Sequence, residues 1–394
     1  MGDEESKDWS IITKYFFEEV FLIFIGCLGL IGNICTLRIF SRQRNQQIFH
    51  RLMMMLATFD SFFILLVFLN LSLPSMAPEY EKSAFYNYMI PILLPLNQIA
   101  MTGSIYSKVA ITIERYLIVC HPFYVMSHRW KAKLYILPII TFSVVYNLPK
   151  FFEIQTTVTG STSRLVDERD NTTMNELQDN KESNNSTMEE EYTYGIKPTL
   201  LRQNFDYILM YMIWTNFVLM GVIPFTLLIA LSALTLKGLK EHLSQQSEVY
   251  GMVQLGTASS RVKRDSSEVG MDTATNQTNG RAGSYCSSVY SENRNNEMCL
   301  AKISMWIIVI FIVCHSIRWI PNIYELIQHT RLTDEFQWPS WIESITHLSH
   351  FSTTFNASIN FYIYYIVRLK KNQLKRVYKS SVSKIRVNMT SLHN

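Results

Sequence analysis

The stretch Ile99-Ala100-Met101-Thr102-Gly103-Ser104-Ile105-Tyr106 runs on through one apolar span to Glu114-Arg115-Tyr116. No Asp or Glu occurs from residue 88 to residue 113. The surrounding run, 88–119, is long enough to cross a hydrocarbon core of about 30 Å as a helix. Ser104 in its middle and Glu114-Arg115 at its end are groups that oil penalises. A charge at mid-bilayer costs about 2.5–3.5 kcal/mol on insertion scales, so each needs an explanation.

Working outward, comparable stretches lie at residues 18–40, 51–73, 132–152, 205–236, 300–328 and 339–367. Backbone amides in a bilayer must be paired internally, so each reads as a helix, and the strand alternation of a barrel is absent. The composition agrees. The 394 residues are 48% hydrophobic, 13% aromatic and only 17% charged, whereas soluble proteins carry about 25% charged residues. The expected fold class is all-α, a seven-transmembrane-helix bundle over residues 18–367. A compact soluble enzyme, a coiled coil and a disordered chain fit poorly. No nucleophile, base and orienter form a recognisable pattern, so no enzyme is expected. A net charge of +4 is too weak to suggest a nucleic-acid partner.

Basic residues set the expected sidedness. Arg42 and Arg44 lie in the first connection, and Arg129, Lys131 and Lys133 in the third. The 368–394 tail holds Arg368, Lys370, Lys371, Lys375, Arg376, Lys379, Lys384 and Arg386 without one acid. These belong in the cytoplasm by the positive-inside rule. The 1–17 segment and the 153–204 loop are acidic, the latter with ten acids against five bases across 153–205. The chain is therefore expected in the plasma membrane, amino terminus extracellular and carboxyl terminus cytoplasmic. The acidic start does not read as a cleavable signal peptide. Glycosylation sequons at Asn171, Asn184 and Asn185 fall in the 153–204 loop, on the expected outer face. Residues 237–298, rich in Ser, Asn, Gly and Thr, read as a disordered cytoplasmic loop. Residues 368–378 have apolar Leu369, Leu374, Val377 and Tyr378 among bases, which fits a short amphipathic helix on anionic lipid.

Several buried polar residues lie at similar depths: Asn33 in the first span, Asp60 in the second, Ser104 in the third, and Asn356 and Asn360 in the seventh. They can form one cluster, either as interhelical hydrogen bonds that hold the bundle or as a Na⁺-coupled hinge. On the second reading Asp60, Ser104, Asn356 and Asn360 are the candidate Na⁺ ligands. No other cofactor is expected. At the end of the third span, Arg115 can pair with Glu114 and reach Glu297 at the start of the sixth. A breakable contact of this kind makes a two-state switch. An ordinary snorkelling Arg is the plainer reading.

With Gly32-Asn33, Asp60, Ser104 and Glu114-Arg115-Tyr116 in place, the chain resembles the rhodopsin-like G-protein-coupled receptors. Within them it is similar to the invertebrate FMRFamide-receptor-like neuropeptide group. The stretch quoted first carries that likeness, with Tyr146-Asn147-Leu148-Pro149-Lys150-Phe151-Phe152-Glu153 and Phe355-Asn356-Ala357-Ser358-Ile359-Asn360-Phe361. The resemblance implies a peptide ligand ending in Arg-Phe-amide, a heterotrimeric G protein and arrestin-type regulation through Ser and Thr of the cytoplasmic segments. It implies Glu114, Arg115, Tyr116, Glu297, Cys314, His315, Asn360 and Tyr364 as the activation switch. Departures accompany it. Ile90 stands where the family places a disulfide Cys at the outer end of the third span. Cys314-His315-Ser316-Ile317 lacks the usual Trp and Pro, and Asn360-Phe361-Tyr362-Ile363-Tyr364 lacks its Pro. The resemblance also excludes two ligand classes. No Lys in 339–367 can hold retinal, and Asn97 stands where amine receptors place an Asp.

The acidic outer face favours a cationic ligand. Glu18, Glu19, Glu153, Glu325 and Glu343 lie near the outer ends of spans and could pair with a peptide Arg. Trp319, Tyr324, Trp338 and Trp341 offer aromatic surface, unless they only form the interfacial belt. Arg318, four residues beyond Cys314, is deep enough to need a partner, whether Asn97, Gln98, Glu325 or a ligand carbonyl. The candidate ligand contacts are Asn97, Gln98, Arg318, Trp319, Asn322, Glu325 and His347. An unrelated peptide or a lipid remains an alternative ligand. A seven-helix transporter or channel using Asp60, Asn356 and Asn360 as a path is the alternative from another class.

Overall fold

A computed structural model describes residues 11–42, 48–127, 132–165, 188–241, 276–330 and 339–391. The long helices are α1 (Ile11–Ser41), α2 (Ile48–Met76), α3 (Ala84–Cys120), α4 (Lys133–Phe152), α5 (Phe205–Glu241), α6 (Asn276–Thr330) and α7 (Ser340–Ser391). Among the described residues, α1 to α5 and the Met298–Tyr324 part of α6 are long and apolar enough to cross a membrane. The spans expected at 18–40, 51–73, 88–119, 205–236 and 300–328 fall inside these helices, and that at 132–152 coincides with α4 but for Ala132.

α7 is more polar because its hydroxyls and amides point inward. Ser349, Ser352, Thr353, Thr354, Asn356, Ser358 and Asn360 are all buried. Thr353, Thr354 and Ser358 donate back to the carbonyls of Ser349, His350 and Thr354 at 3.0, 2.9 and 2.8 Å, which satisfies each hydroxyl within its own helix. The outward faces are apolar instead. Phe24, Leu137, Met210 and Trp306 are each more than half exposed, as lipid-facing positions should be.

α3 is the central helix. From Ala100 to Thr112 every residue but Tyr106 is buried, and α3 packs on α2, α4 and α6. A helix covered on all sides must be accommodated by close approach. At Gly103 an added Cβ would lie 2.3 Å from the Phe59 ring, and at Gly29 it would lie 2.2 Å from Ser358 Oγ, so both glycines permit helix contact. Two large apolar cores result, beside a small cluster of Val119, Leu239 and Ala301. One gathers Phe63, Ile64, Met101, Ile105, Leu228 and Phe311; the other gathers Phe49, Leu52, Leu56, Ile111, Ile303 and Ile363. Asp60, Lys108 and Asn360 lie along α2, α3 and α7 between members of the two.

Three departures from the sequence expectations stand out. The 153–204 loop contains an antiparallel hairpin, β1 (Ile154–Leu165) with β2 (Met188–Pro198), with a register shift between Val158 and Gly160. Thr and Val in β1 and Tyr and Thr in β2 suit a ladder. Thr156 Oγ1 donates to the Asn87 carbonyl at 2.5 Å and the Tyr88 and Tyr194 rings lie 5.7 Å apart. The hairpin is thus tied to α3 without a disulfide, and Ile90 is packed at 3% exposure. Second, the segment expected to be disordered is helical at both ends, through Glu241 and from Asn276. Extending an existing helix adds one hydrogen bond per residue without a new nucleus, so apolar spans propagate into polar flanks. Third, α7 continues to Ser391 rather than giving way to a separate short helix after Val367. The sequons at Asn171, Asn184 and Asn185 lie outside the described residues, as do Trp338 and the side chains of Glu297 and Glu325.

Candidate functional site

The polar layer between the two cores has a definite wiring. Asp60, at 0% exposure, accepts from Ser104 Oγ on one carboxylate oxygen at 2.5 Å and from Asn360 Nδ2 on the other at 2.7 Å. Lys108, one turn beyond Ser104 on α3 and 1% exposed, donates to Ser104 Oγ at 2.7 Å and lies 3.9 Å from Asp60 Oδ1. Its ammonium also stands 5.6 Å from the centre of the Phe311 ring on α6. Phe311 and His315 rings are 4.4 Å apart, and His315 Nε2 is 3.3 Å from Asn356 Nδ2. Asn356 therefore joins His315 rather than Asp60. Asn33 Nδ2 donates instead to the Ala357 carbonyl at 3.3 Å.

Lys108 was not singled out in the sequence, although a lysine in an acid-free apolar span is the signal that should have found it. It changes the Na⁺ reading. Asn356 Oδ1 and Asn360 Oδ1 are buried acceptors without a protein partner, so the donor atoms suit a hard cation in kind. The charge does not fit. Asp60 and Lys108 already neutralise each other, and an added Na⁺ would leave one uncompensated positive charge in a dry interior, where such charges cost several kcal/mol.

At the opposite end of α3 from the hairpin, Arg115 forms a two-pronged pair with Glu114. Nε donates to Oε2 at 2.5 Å and an η-nitrogen to Oε1 at 2.6 Å. Both side chains are buried, and the guanidinium lies 4.6 Å from the Phe49 ring centre. This is the expected Glu114 partner. Tyr116 Oη and His121 Nε2 are 3.1 Å apart. Tyr364 is buried, its ring 5.0 Å from Phe40, and its hydroxyl accepts from Arg368. Cys314, three residues beyond Phe311 on α6, is 7% exposed.

Toward the hairpin end, a cavity of about 320 Å³ opens between α3, α5 and α6. Gln98, Lys150, Phe217, Arg318, Trp319 and Asn322 are among its lining residues. The wall from α5 is shaped by wide π-helical turns over Ile208–Thr215 and Phe217–Val222, a distortion frequent at functional sites. Trp319 meets Phe217 edge-on at 5.1 Å and is seated by Gly221, where a Cβ would come 2.4 Å from the indole. Arg318 donates to Met101 Sδ and, at 3.5 Å, to Gln98 Oε1. Both partners are neutral. Lys150 is paired at 3.7 Å with Glu153, whose other contact is the Tyr207 hydroxyl at 2.8 Å.

The sequence expectations divide here. Gln98, Arg318, Trp319 and Asn322 come together around the cavity. Asn97 does not line it, and its Oδ1 is buried without a partner. His347 lies elsewhere, 2.8 Å from Glu18. Glu18 is 3% exposed, Glu19 accepts from Ser75 at 2.7 Å and Glu153 from Tyr207, so these acids serve internal contacts. The cavity carries Arg318, as expected, and Lys150, which is paired with Glu153. Folding brought in Lys150 and Phe217, which span order alone does not place beside Arg318.

Comparison with known proteins bears on this geometry. The chain is 25% identical over 354 residues, 88% of its length and 51% of the relative's, to an FMRFamide receptor of Drosophila melanogaster. It is 29% identical over 148 residues, 36% of its length and 34% of the relative's, to an FMRFamide peptide receptor of Caenorhabditis elegans. A probable G-protein coupled receptor of the same nematode is 24% identical over 248 residues, 57% of this chain and 58% of its own. The chain spans about half the length of the first of these relatives and less than two thirds of each of the others. Residues 32–364, which hold Asn33, the Asp60–Lys108 layer, the Glu114–Arg115 pair and the cavity, match the 7 transmembrane receptor (rhodopsin family), and the chain, a multi-pass membrane protein, belongs to that family.

Proposed function

We propose that this chain is a receptor for amidated peptides of the FMRFamide class, coupled to a heterotrimeric G protein. The observation that carries the reading is Arg318, a charged donor held at the cavity floor by two neutral partners. Such a group favours a ligand acceptor, and hydrogen bonds to charged groups are worth about 1.5–3 kcal/mol. A terminal carboxamide offers a carbonyl to Arg318 and an amino group to the side-chain oxygens of Gln98 and Asn322. Its aromatic residue would lie against Trp319 and Phe217. A cavity of about 320 Å³ is at the small end for ligand sites, so it takes the end of a peptide while the body rests nearer the hairpin. The peptide's own Arg, repelled by Arg318 and Lys150, would stay with the body.

In this reading the hairpin end faces outward, with the basic connections and tail in the cytoplasm. Ligand bound between α3, α5 and α6 would change the packing of Phe311 against Lys108. That contact joins the cavity-bearing helix to the Asp60 layer, and Phe49, eleven residues before Asp60 on α2, carries the connection to the Arg115 guanidinium. Lys108 serves as the tethered cation of this layer, and no step uses Na⁺. Release of Arg115 from Glu114 then exposes a charged group for the G protein. An internal rearrangement of this kind needs ligand to bind one arrangement better than the other.

The test is to express the chain in cells, apply amidated peptides including Arg-Phe-amides, and record calcium and cyclic-AMP responses. A response that Arg318→Ala weakens at matched surface expression supports the reading. Silence to every amidated peptide, with a response to a lipid or an unrelated ligand, overturns it.

A further inference from the structure

A second site lies outside the cavity and the polar layer. Glu18, in the wide turn Tyr15–Phe21 of α1, is 3% exposed. Its Oε1 is 2.8 Å from His347 Nδ1 and 3.0 Å from His350 Nδ1. The two histidines are three residues apart on α7, so they present from one face. The three ligand atoms lie within 4.8 Å of one another. Exposure rises outward through the group, from 5% for the Glu18 side chain to 15% for His347 and 36% for His350. One side is closed by Phe17 and Phe21, whose rings stand 5.5 and 6.1 Å from Phe351. The backbone is fixed as well, because Ser72 Oγ donates to the Glu18 carbonyl at 3.0 Å.

We infer that Glu18, His347 and His350 form a binding site for a divalent transition-metal ion of the zinc class. Two imidazole nitrogens and a carboxylate oxygen select zinc or copper over calcium, magnesium or sodium, which prefer oxygen ligands. Three protein ligands with a fourth position open to solvent is the arrangement of exchangeable zinc sites, whereas purely structural sites are closed by four. In the metal-free protein both rings can donate Nδ1–H to Glu18; on binding, each neutral ring carries its proton at Nε2 instead and presents the Nδ1 lone pair to the ion. The ion would then fasten α1 to α7. That site draws on no residue of the peptide cavity, so it stands or falls separately from the proposed ligand.

The test uses the full chain purified in lipid nanodiscs. Equilibrium dialysis with Zn²⁺ is expected to show one ion per chain, with affinity falling at least tenfold in Glu18→Gln, His347→Asn and His350→Asn. His350 is the most exposed of the three, so its variant is the least prone to misfold. Cu²⁺ loading of the unaltered protein supplies a readout that needs no variant: electron paramagnetic resonance should show superhyperfine coupling to two nitrogens. Zinc affinity unchanged in all three variants, or a copper spectrum without nitrogen coupling, would overturn the site.

Discussion

Replacing Lys108 with Met keeps the side chain's length and removes its charge. Asp60, at 0% exposure, would keep only Ser104 and Asn360 as partners. Removing one member of a buried ion pair costs about 3–5 kcal/mol. The lower figure applies here, because the charges are 3.9 Å apart and two hydrogen bonds to the carboxylate remain. At about 2–4 °C per kcal/mol for domains of 150–250 residues, a loss of about 3 kcal/mol lowers the melting temperature by about 6–12 °C. Asp60→Asn should cost a similar amount, since it strands the ammonium. The double variant, with no buried charge left, should melt well above the sum of the two losses, because a neutral replacement of both partners is often harmless. The assay is thermal unfolding of purified protein in nanodiscs, in choline and in sodium buffers. Sodium should not shift the melting point of the unaltered chain, but it should raise that of Lys108→Met, where a cation can again neutralise Asp60. Strictly additive losses in the double variant, or sodium stabilisation of the unaltered chain, would refute the reasoning.

Other consequences follow from the cavity and the Arg115 end. Arg318→Ala should weaken peptide potency about 10- to 100-fold, the equivalent of about 1.5–3 kcal/mol at 1.4 kcal/mol per decade, in a calcium dose–response at matched surface expression. Gly221→Ala places a methyl 2.4 Å from the Trp319 indole and must move that ring; potency should fall about two- to tenfold by loss of a contact worth about 0.5–1.5 kcal/mol, and an unchanged dose–response would remove Trp319 from the wall. Glu114→Gln weakens the hold on Arg115 and should raise basal signalling, while Arg115→Ala should abolish the agonist response; cyclic-AMP or calcium assays without and with peptide distinguish the two. Thr156→Val removes the hydrogen bond that ties the hairpin to Asn87, so limited proteolysis should cut between β1 and β2 sooner than in the unaltered chain.

The bundle was legible in the sequence because crossing lipid imposes a length and an apolar composition that can be read without knowing any contact. The same logic marked Asp60, Ser104, Asn360 and Arg115, since a polar residue in an apolar span is conspicuous wherever it packs. The hairpin was less visible: its strands lie in a polar, acidic loop, where alternation is masked and only the Thr and Tyr content hinted at pairing. Glu18 was readable as an acid near a span end, but its histidine partners lie more than 300 residues away and nothing local joins them.

What the sequence alone determined is therefore the number and placing of the apolar helices and which buried positions carry charge. Packing of the helices settled who answers the other charges: Lys108 for Asp60, two histidines for Glu18, and neutral groups for Arg318, whereas Glu114 for Arg115 was already readable from adjacency. The reason is physical. Burial cost depends on a residue's own chemistry and its span, whereas compensation depends on rotation of one helix against another, and no local pattern encodes that angle.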